Sequence, residues 1–280
     1  RMSGVFMSQI VEIICVGNEL LIGKTLNTNA QWLTKRVTTL GLTTRRVTVV
    51  GDNIDEISSA IKEAIQRSPG FILTTGGLGP TFDDKTLEGL ATALGRRMEI
   101  NEEALKMVKD KYLSYAREGR MEAAELTPHR VKMSKLPEGA KPLRNPVGTA
   151  PAVSIEHENV TIIALPGVPS EMMSIFDESV ASVLKKAAGN VTFFETGIEA
   201  TKVMESAMAP LIEKVMHSNP HVYIKSHPKG AERVPRIEFH LSTTAKNSST
   251  ARRQVSKALL QLTELIQQKG GKIKPLKSET

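Results

Sequence analysis

One cysteine stands in 280 residues, which excludes an internal disulfide. Cys15 lies inside the apolar run Ile13 to Val16 and reads as a buried strand thiol, so a cytoplasmic protein is expected. Aromatic residues make up only 4% of the chain, too few for the stacking platform that single-stranded nucleic acid requires. No apolar run approaches the roughly 20 residues that cross a bilayer, so no membrane partner is expected. The opening RMSGVFMSQ lacks the apolar core of a secretory signal, and residues 1–8 read as an N-terminal extension or cloning remnant. A Gly-x-Ser-x-Gly elbow is missing, which leaves serine-nucleophile chemistry without support.

Hydrophobic residues form 40% of the chain, enough for a sizeable core, and the length favours one large and one small domain. Residues 190–280 hold 14 Lys plus Arg against 8 Glu and no Asp, whereas the first 189 residues are nearly neutral. A basic second domain can meet a polyanion, yet about half of these charges fall where a solvated face explains them equally well. Nucleic acid is therefore not the expected partner.

The run VEIICV (11–16) is closed by Gly17, and Ala30, Leu33, Val37 and Leu40 follow at helical spacing before Gly41. A second strand over 43–50 leads through Gly51-Asp52-Asn53 into a helix striped by Ile57, Ile61 and Ile65. A third strand, 71–75, precedes a glycine-rich turn and a helix over 86–94. Strands alternating with helices at this pace predict a three-layer α/β/α domain with a mostly parallel sheet. A helix over 101–117 is followed by a loop-rich stretch through Pro128, Pro137, Pro142 and Pro146. A hairpin of 150–155 with 160–165 and a helix over 170–186 bring the domain, 9–189, to Gly189-Asn190. Beyond it, 190–275 read as a small βαββα unit of α+β class, with 276–280 as a tail. Pro210 inside its first helix predicts a kink or a new helix start. His217 and His221 are separated by Pro220, which argues against a metal pair.

The most informative segment is TTGGLGPTFDDKT (74–86), in which strand, glycine loop, acid pair and helix follow one another. Gly76, Gly77 and Gly79 allow positive φ and close approach of N–H groups to an anion, and the helix opening near Thr86 adds its positive end. Asp83 and Asp84 carry the wrong charge for a bare phosphate, so a divalent cation is expected between them. Three further segments outrank the rest: GNELLIGKTLNTN (17–29), NPVGTAPA (145–152) and ALPGVPSEM (164–172). Three of the four follow predicted strands, where an open parallel sheet places its ligand crevice.

With these four motifs in order, residues 9–189 resemble the molybdopterin-binding MogA/MoeA-like domain, most closely as it occurs in the CinA family. Residues 190–275 resemble the KH-like domain that follows there, although no Gly-x-x-Gly loop of the RNA-binding kind occurs in 190–280. On this resemblance, no counterpart of the CinA amidohydrolase domain is expected. Asn18 stands where the family has Thr, and Ala152 replaces a common glycine, putting a methyl group where backbone can approach ligand.

The resemblance implies a metal-dependent nucleotide pyrophosphatase acting on ADP-ribose or a related dinucleotide such as FAD, with Mg²⁺ or Co²⁺, and K⁺ as a further ion. It makes Asp84 and Asp52 catalytic. Phosphate or substrate contacts fall to Gly76, Gly77, Gly79, Thr75, Thr81, Asn145, Gly148, Thr149, Pro166, Gly167 and Ser170. Metal ligands are expected among Asp84, Asp52, Asp83 and Glu19. The same pocket serves molybdopterin binding or adenylylation equally well, and a non-catalytic nucleotide-binding module is the third reading. Asp84 can also be a simple helix cap, Asp52 a turn residue, and Ser170-Glu171 merely a helix start. A homodimer or higher oligomer using residues 101–150 is expected, because that stretch has too few apolar residues to pack alone.

Overall fold

A strand such as IVEIICV, apolar at consecutive positions, needs cover on both faces and a neighbour on each edge. In the computed structural model, which describes residues 9–121, 124–229 and 236–276, it forms β1 (Ile10–Val16) inside a six-stranded sheet of order β2-β1-β3-β8-β7-β6. The expected N-terminal extension and residues 277–280 of the tail lie outside the described residues. Strands β2 (Thr43–Val50), β1, β3 (Phe71–Thr75) and β8 (Val160–Leu165) run parallel. The polar sequence TTRRVTVV suits β2 to the edge, while every residue of β3 is buried at the centre. Strand β7 (Ala152–His157) is antiparallel to β8, and β6 (Lys141–Leu143) is antiparallel to β7. The hairpin thus turns over Glu158-Asn159, two residues later than expected at its first strand, with Glu158 at φ 53°.

Helices cover both faces. Ile14, Ile72 and Ile162 share one buried cluster with Ile57 and Ile61 of α3 (Ile54–Gln66), Leu87 and Leu90 of α4 (Thr86–Leu94), and Val108 of α5 (Glu102–Arg117). Each fully buried isoleucine contributes about 2 kcal/mol. On the other face Ile13, Leu73 and Ile163 are equally buried. That side belongs to α2 (Thr28–Thr39), which follows the short α1 (Asn18–Leu21), and to the helical run after β8; Trp32 and Phe176 meet edge-on at 5.2 Å. That run is not one helix: α7 (Pro169–Ile175) passes through a π-helical turn, Phe176–Val180, into α8 (Ala181–Ala188).

The stretch read as loop holds more order than its prolines suggest. Strands β4 (Met98–Ile100) and β5 (Lys135–Pro137) pair antiparallel, and α6 (Pro128–Lys132) is capped by Thr127.

The chain divides into two compact units, the second running from Gly189 together with Thr39–Gly41. Its sheet has the order β10-β11-β9-β12, formed by β9 (Thr192–Thr201), β10 (Tyr223–Lys229), β11 (Arg236–Ala245) and β12 (Lys272–Pro275). Ile198, Ile224 and Phe239 pack in one cluster with Met208 and Val215 of α9 (Glu205–Ser218) and Val255 and Leu262 of α10 (Ser248–Gln268). Strand β12, which pairs with β9, extends the expected βαββα unit. Of the kink or new helix start expected at Pro210, the new start does not occur, since α9 runs through it. Residue Ser206, whose carbonyl loses its N–H partner, is exposed, and water can take that bond. Among the described residues no helix is long and apolar enough to cross a membrane.

Candidate active site

The C-terminal ends of β1, β2, β3 and β8 open on one side, and their loops enclose a cavity of about 370 Å³. The floor is the glycine loop. Gly76 and Gly77 take φ of 105° and 67°, and a side chain on Gly76 would overlap the carbonyl of Val16 at the end of the adjacent strand. The Gly76 N–H is used by Leu165 O at 3.0 Å. Thr86 closes the loop onto α4, donating its hydroxyl to Gly76 O at 2.7 Å and its N–H to Gly77 O at 3.1 Å. Among the described residues, the N–H groups of Gly77, Leu78 and Gly79 carry no hydrogen bond. Three successive donors without a protein partner, in a loop tied to the first residue of α4, are available to an anion. Gly79 differs from the expectation of positive φ: its backbone is outside the left-handed region, and what it supplies is space, because a Cβ there would lie 2.6 Å from Asp84 Oδ2.

The acid loop follows. Asp84 Oδ2 accepts the N–H of Thr81 at 2.8 Å, and the Thr81 hydroxyl lies between the carboxylates of Asp83 and Asp84. Asp84 is not the helix cap, since Lys85 occupies that position without a side-chain bond. The Asp83 carboxyl is held below the usual carboxylate range, first by the Thr81 hydroxyl, then by its own N–H, with Lys132 and Lys85 adding attraction. Lys132 braces the loop from behind, its Nζ donating to the carbonyls of Thr81, at 2.6 Å, and Asp84. Across the cavity, Asp52 Oδ2 accepts the Asn18 N–H at 2.8 Å while Asn18 Oδ1 accepts the Asp52 N–H at 3.3 Å, so the Asn in the first motif clamps two strand ends together.

Asp52, Asp83, Asp84 and Glu19 all line this cavity, and Glu171 makes a fifth carboxylate, with no lysine or arginine among the lining residues. The residues among which metal ligands are expected are not drawn into a cluster of three or more: among the described residues no three Asp, Glu, His or Cys side chains are gathered closely enough to hold an ion. The donors are hard oxygens, which suits Mg²⁺, an ion commonly held by one or two carboxylates plus substrate phosphates and not by an all-protein cage.

Of the expected substrate contacts, Thr149, Pro166 and Gly167 line the cavity, while Gly148 lines a separate one together with Asn145 and Thr149. Thr75, Asn145 and Ser170, also expected to contact substrate, are not among the residues that line this cavity. Thr75 is 3% exposed, with its hydroxyl donating to Pro166 O and accepting from Asn29 Nδ2, so it ties β3 to the loop after β8. Asn145 spends its whole side chain on the fold: Oδ1 accepts from the N–H groups of Val147 and Gly148, and Nδ2 donates to Ala150 O and Glu171 Oε2. Ser170 is exposed on the first turn of α7, and its neighbour Glu171, one step round the helix, faces the cavity. A side chain at Gly148 would overlap that Glu171 carboxylate. Ala152 is fully buried in β7. Sequence reading missed Glu171, Lys132, Thr86 and Asn29; only Glu171, an early acid in a proline-started helix, gave a signal.

The model of a family described as a probable molybdopterin binding domain matches residues 12–186. The chain belongs to that family. The family match runs from β1 into α8 and includes every residue that lines the cavity. Beyond the family domain, the likeness extends through both units: a protein of Sulfurisphaera tokodaii is 43% identical over 263 residues, covering 94% of this chain and 97% of that one. A protein of Pyrobaculum aerophilum is 45% identical over 268 residues, covering 95% and 97%. Among solved structures, the protein CinA with unknown function from Thermoplasma acidophilum is 40% identical, with a TM-score of 0.57, covering 63% of this chain and 98% of that one. The expected α/β/α fold with a mostly parallel sheet, in a domain of the molybdopterin-binding family, is thus established.

Proposed function

We propose that this member of the molybdopterin-binding family is a divalent-cation-dependent hydrolase of a nucleotide pyrophosphate such as ADP-ribose. The supporting observation is the pairing of three free loop N–H groups with five carboxylates in one cavity that no basic side chain lines. The loop recognises phosphate, and the carboxylates repel it unless a cation accompanies the substrate. Asp84 and Asp52 are the residues that would hold Mg²⁺ or Co²⁺. When bound, such an ion neutralises phosphate charge and acidifies water.

The rest falls to the chain. The Gly77–Gly79 amides hold one phosphate and stabilise charge as it shifts onto the leaving oxygen. Thr81 and Lys132 keep Asp84 in place, and Asn18 keeps Asp52. Water adds to one phosphorus, its proton passes to a loop carboxylate, and the bridging P–O bond breaks to release AMP and ribose 5-phosphate. A homodimer in which residues 101–150 meet belongs to the same reading; light scattering that returns only 30.6 kDa with full activity would refute that part.

A second reading, adenylylation of molybdopterin by ATP, is favoured by the family match. Incubation with Mg²⁺ or Co²⁺ separates the two. AMP released from ADP-ribose or FAD supports hydrolysis, pyrophosphate released only from ATP with molybdopterin supports transfer, and absence of AMP across several nucleotide diphosphates refutes the proposal.

A further inference from the structure

Lys111 and Arg144 stand in a groove of about 330 Å³ between α5 and the loop over 144–151, apart from the acidic cavity. Met107, Asp110 and Lys111 of α5 fall at i, i+3 and i+4, so one helix face makes one wall. Arg144, Asn145 and Thr149 belong to the other. The charges are opposite in balance to those of the neighbouring site: two cations and one carboxylate here, five carboxylates and no basic group there. Lys111 donates one N–H to Pro146 O at 2.8 Å, which ties the ammonium to the loop and leaves two donors. Arg144 meets Glu178 at 3.5 Å, but both side chains are exposed and such a pair holds little energy, so the guanidinium can turn to a ligand. Among the described residues the Asp110 carboxylate has no hydrogen bond and no ion pair.

We propose that this groove binds a small acidic amino acid, a ligand with two carboxylates and one ammonium. The set of charges carries it. Lys111 and Arg144 take the carboxylates, Arg144 with the planar fork that suits them, and Asp110 takes the ammonium. The groove's one excess positive charge then meets the ligand's one excess negative charge. A phosphate would meet the cations but be repelled by Asp110, and a plain dicarboxylate would leave Asp110 without a partner. The volume lies within the range usual for small-molecule sites. The loop over 144–151 is shared with the acidic cavity: Thr149 lines both, and Asn145 lines the groove while its Nδ2 donates to Glu171 Oε2 at 2.7 Å. A ligand in the groove therefore steadies the loop that fastens Glu171, which makes this an effector site and not a substrate site.

The test is calorimetric titration of wild type, Asp110→Asn and Arg144→Gln with L-glutamate, L-aspartate and glutarate, the last of which lacks the ammonium. Both substituted residues are exposed, so neither change should move the melting temperature. Wild type should bind L-glutamate or L-aspartate more tightly than glutarate. Arg144→Gln should weaken all three about three- to tenfold, and Asp110→Asn should weaken the amino acids by a similar factor while glutarate binds no more weakly. Hydrogen exchange of the Val147 and Gly148 amides, which bond Asn145 Oδ1, should slow when the amino acid is bound. Failure of wild type to bind either amino acid overturns the proposal, as does glutarate bound as tightly as both. An Arg144→Gln protein that binds as wild type does, an Asp110→Asn effect that is absent or equal for glutamate and glutarate, or unchanged exchange at 147–148 overturns it too. Displacement of the amino acid by ADP-ribose or pyrophosphate would make the groove an arm of the acidic cavity, with the same result. None of these readouts needs turnover, so the hydrolase reading and this site can fail separately.

Discussion

Replacing Arg67 by Ala should be among the most damaging single changes in the first unit, although the residue does not line the acidic cavity. Glu12, in the middle of β1, is 1% exposed, and its carboxylate receives three hydrogen bonds from Arg67, at 2.9, 3.1 and 2.7 Å. The pairing raises the Arg67 pKa further above its ordinary value. Removing the guanidinium strands a buried negative charge, which typically costs about 3–5 kcal/mol. Arg67 is itself 25% exposed, so water can enter the space it leaves, and the lower end of that range, about 3 kcal/mol, is expected. For a domain of this size that is a fall of roughly 6–12 °C in melting temperature. Glu12→Gln keeps the shape and removes the buried charge, so it should cost about 1–2 kcal/mol. The double change of both residues to Met should recover much of the Arg67→Ala loss. Urea denaturation of the four proteins, with the transition of the first unit followed separately, measures these differences. An Arg67→Ala protein within about 1 kcal/mol of wild type would show that Glu12 is not an isolated buried charge, and would refute the reasoning.

Three shorter predictions concern the site and its surroundings. Gly79→Ala places a methyl carbon 2.6 Å from Asp84 Oδ2, so the carboxylate must shift by several tenths of an ångström. Turnover should fall roughly 10- to 100-fold with a stability change near 0.5 kcal/mol, and unchanged turnover would contradict the tight fit of loop and acid. Asp84→Asn should reduce hydrolysis by about 10²–10³ with melting unchanged, as Asp52→Ala should weaken the metal dependence; a large melting loss for Asp84→Asn would recast it as a loop anchor. Cys15 is fully buried, and burial raises its thiol pKa more than the hydrogen bond with Asn27 lowers it. A thiol reagent should therefore react only as the protein unfolds, and prompt labelling of native protein would count against the buried placement.

The parallel core was legible because its strands and helices carry strong local signals. VEIICV and FILTT are continuous runs, Asn53 caps α3 through Asp55 and Glu56 N–H groups, and Gly95 ends α4 in the left-handed conformation. Strands of three residues are too short for period 2 to declare itself, and β5 and β6 contain Pro137 and Pro142 as well, so both read as loop. The site divides in the same way. The acidic and glycine residues were visible because they are adjacent in sequence. Lys132 reaches Asp84 across 48 residues, and Asn145 reaches Glu171 across 26, and nothing local announces either bond. Ser170 is exposed while Glu171 lines the cavity, a matter of helix phase that depends on where α7 begins.

The π turn at 176–180 has a bearing on that phase. In an α-helix each residue advances about 100°, so a one-residue insertion would turn everything on one side of it out of register with the other. A π turn absorbs one extra residue without breaking the helix. Here it lets Met172 and Ile175 before it and Leu184 and Ala188 after it all stay buried, while Glu171 still points to the cavity. The turn therefore works as a phase corrector: the core-facing half of the helix can remain fixed while the first turn is aimed independently. Shortening 176–180 by one residue would force a choice between a packed core and an acid in the pocket.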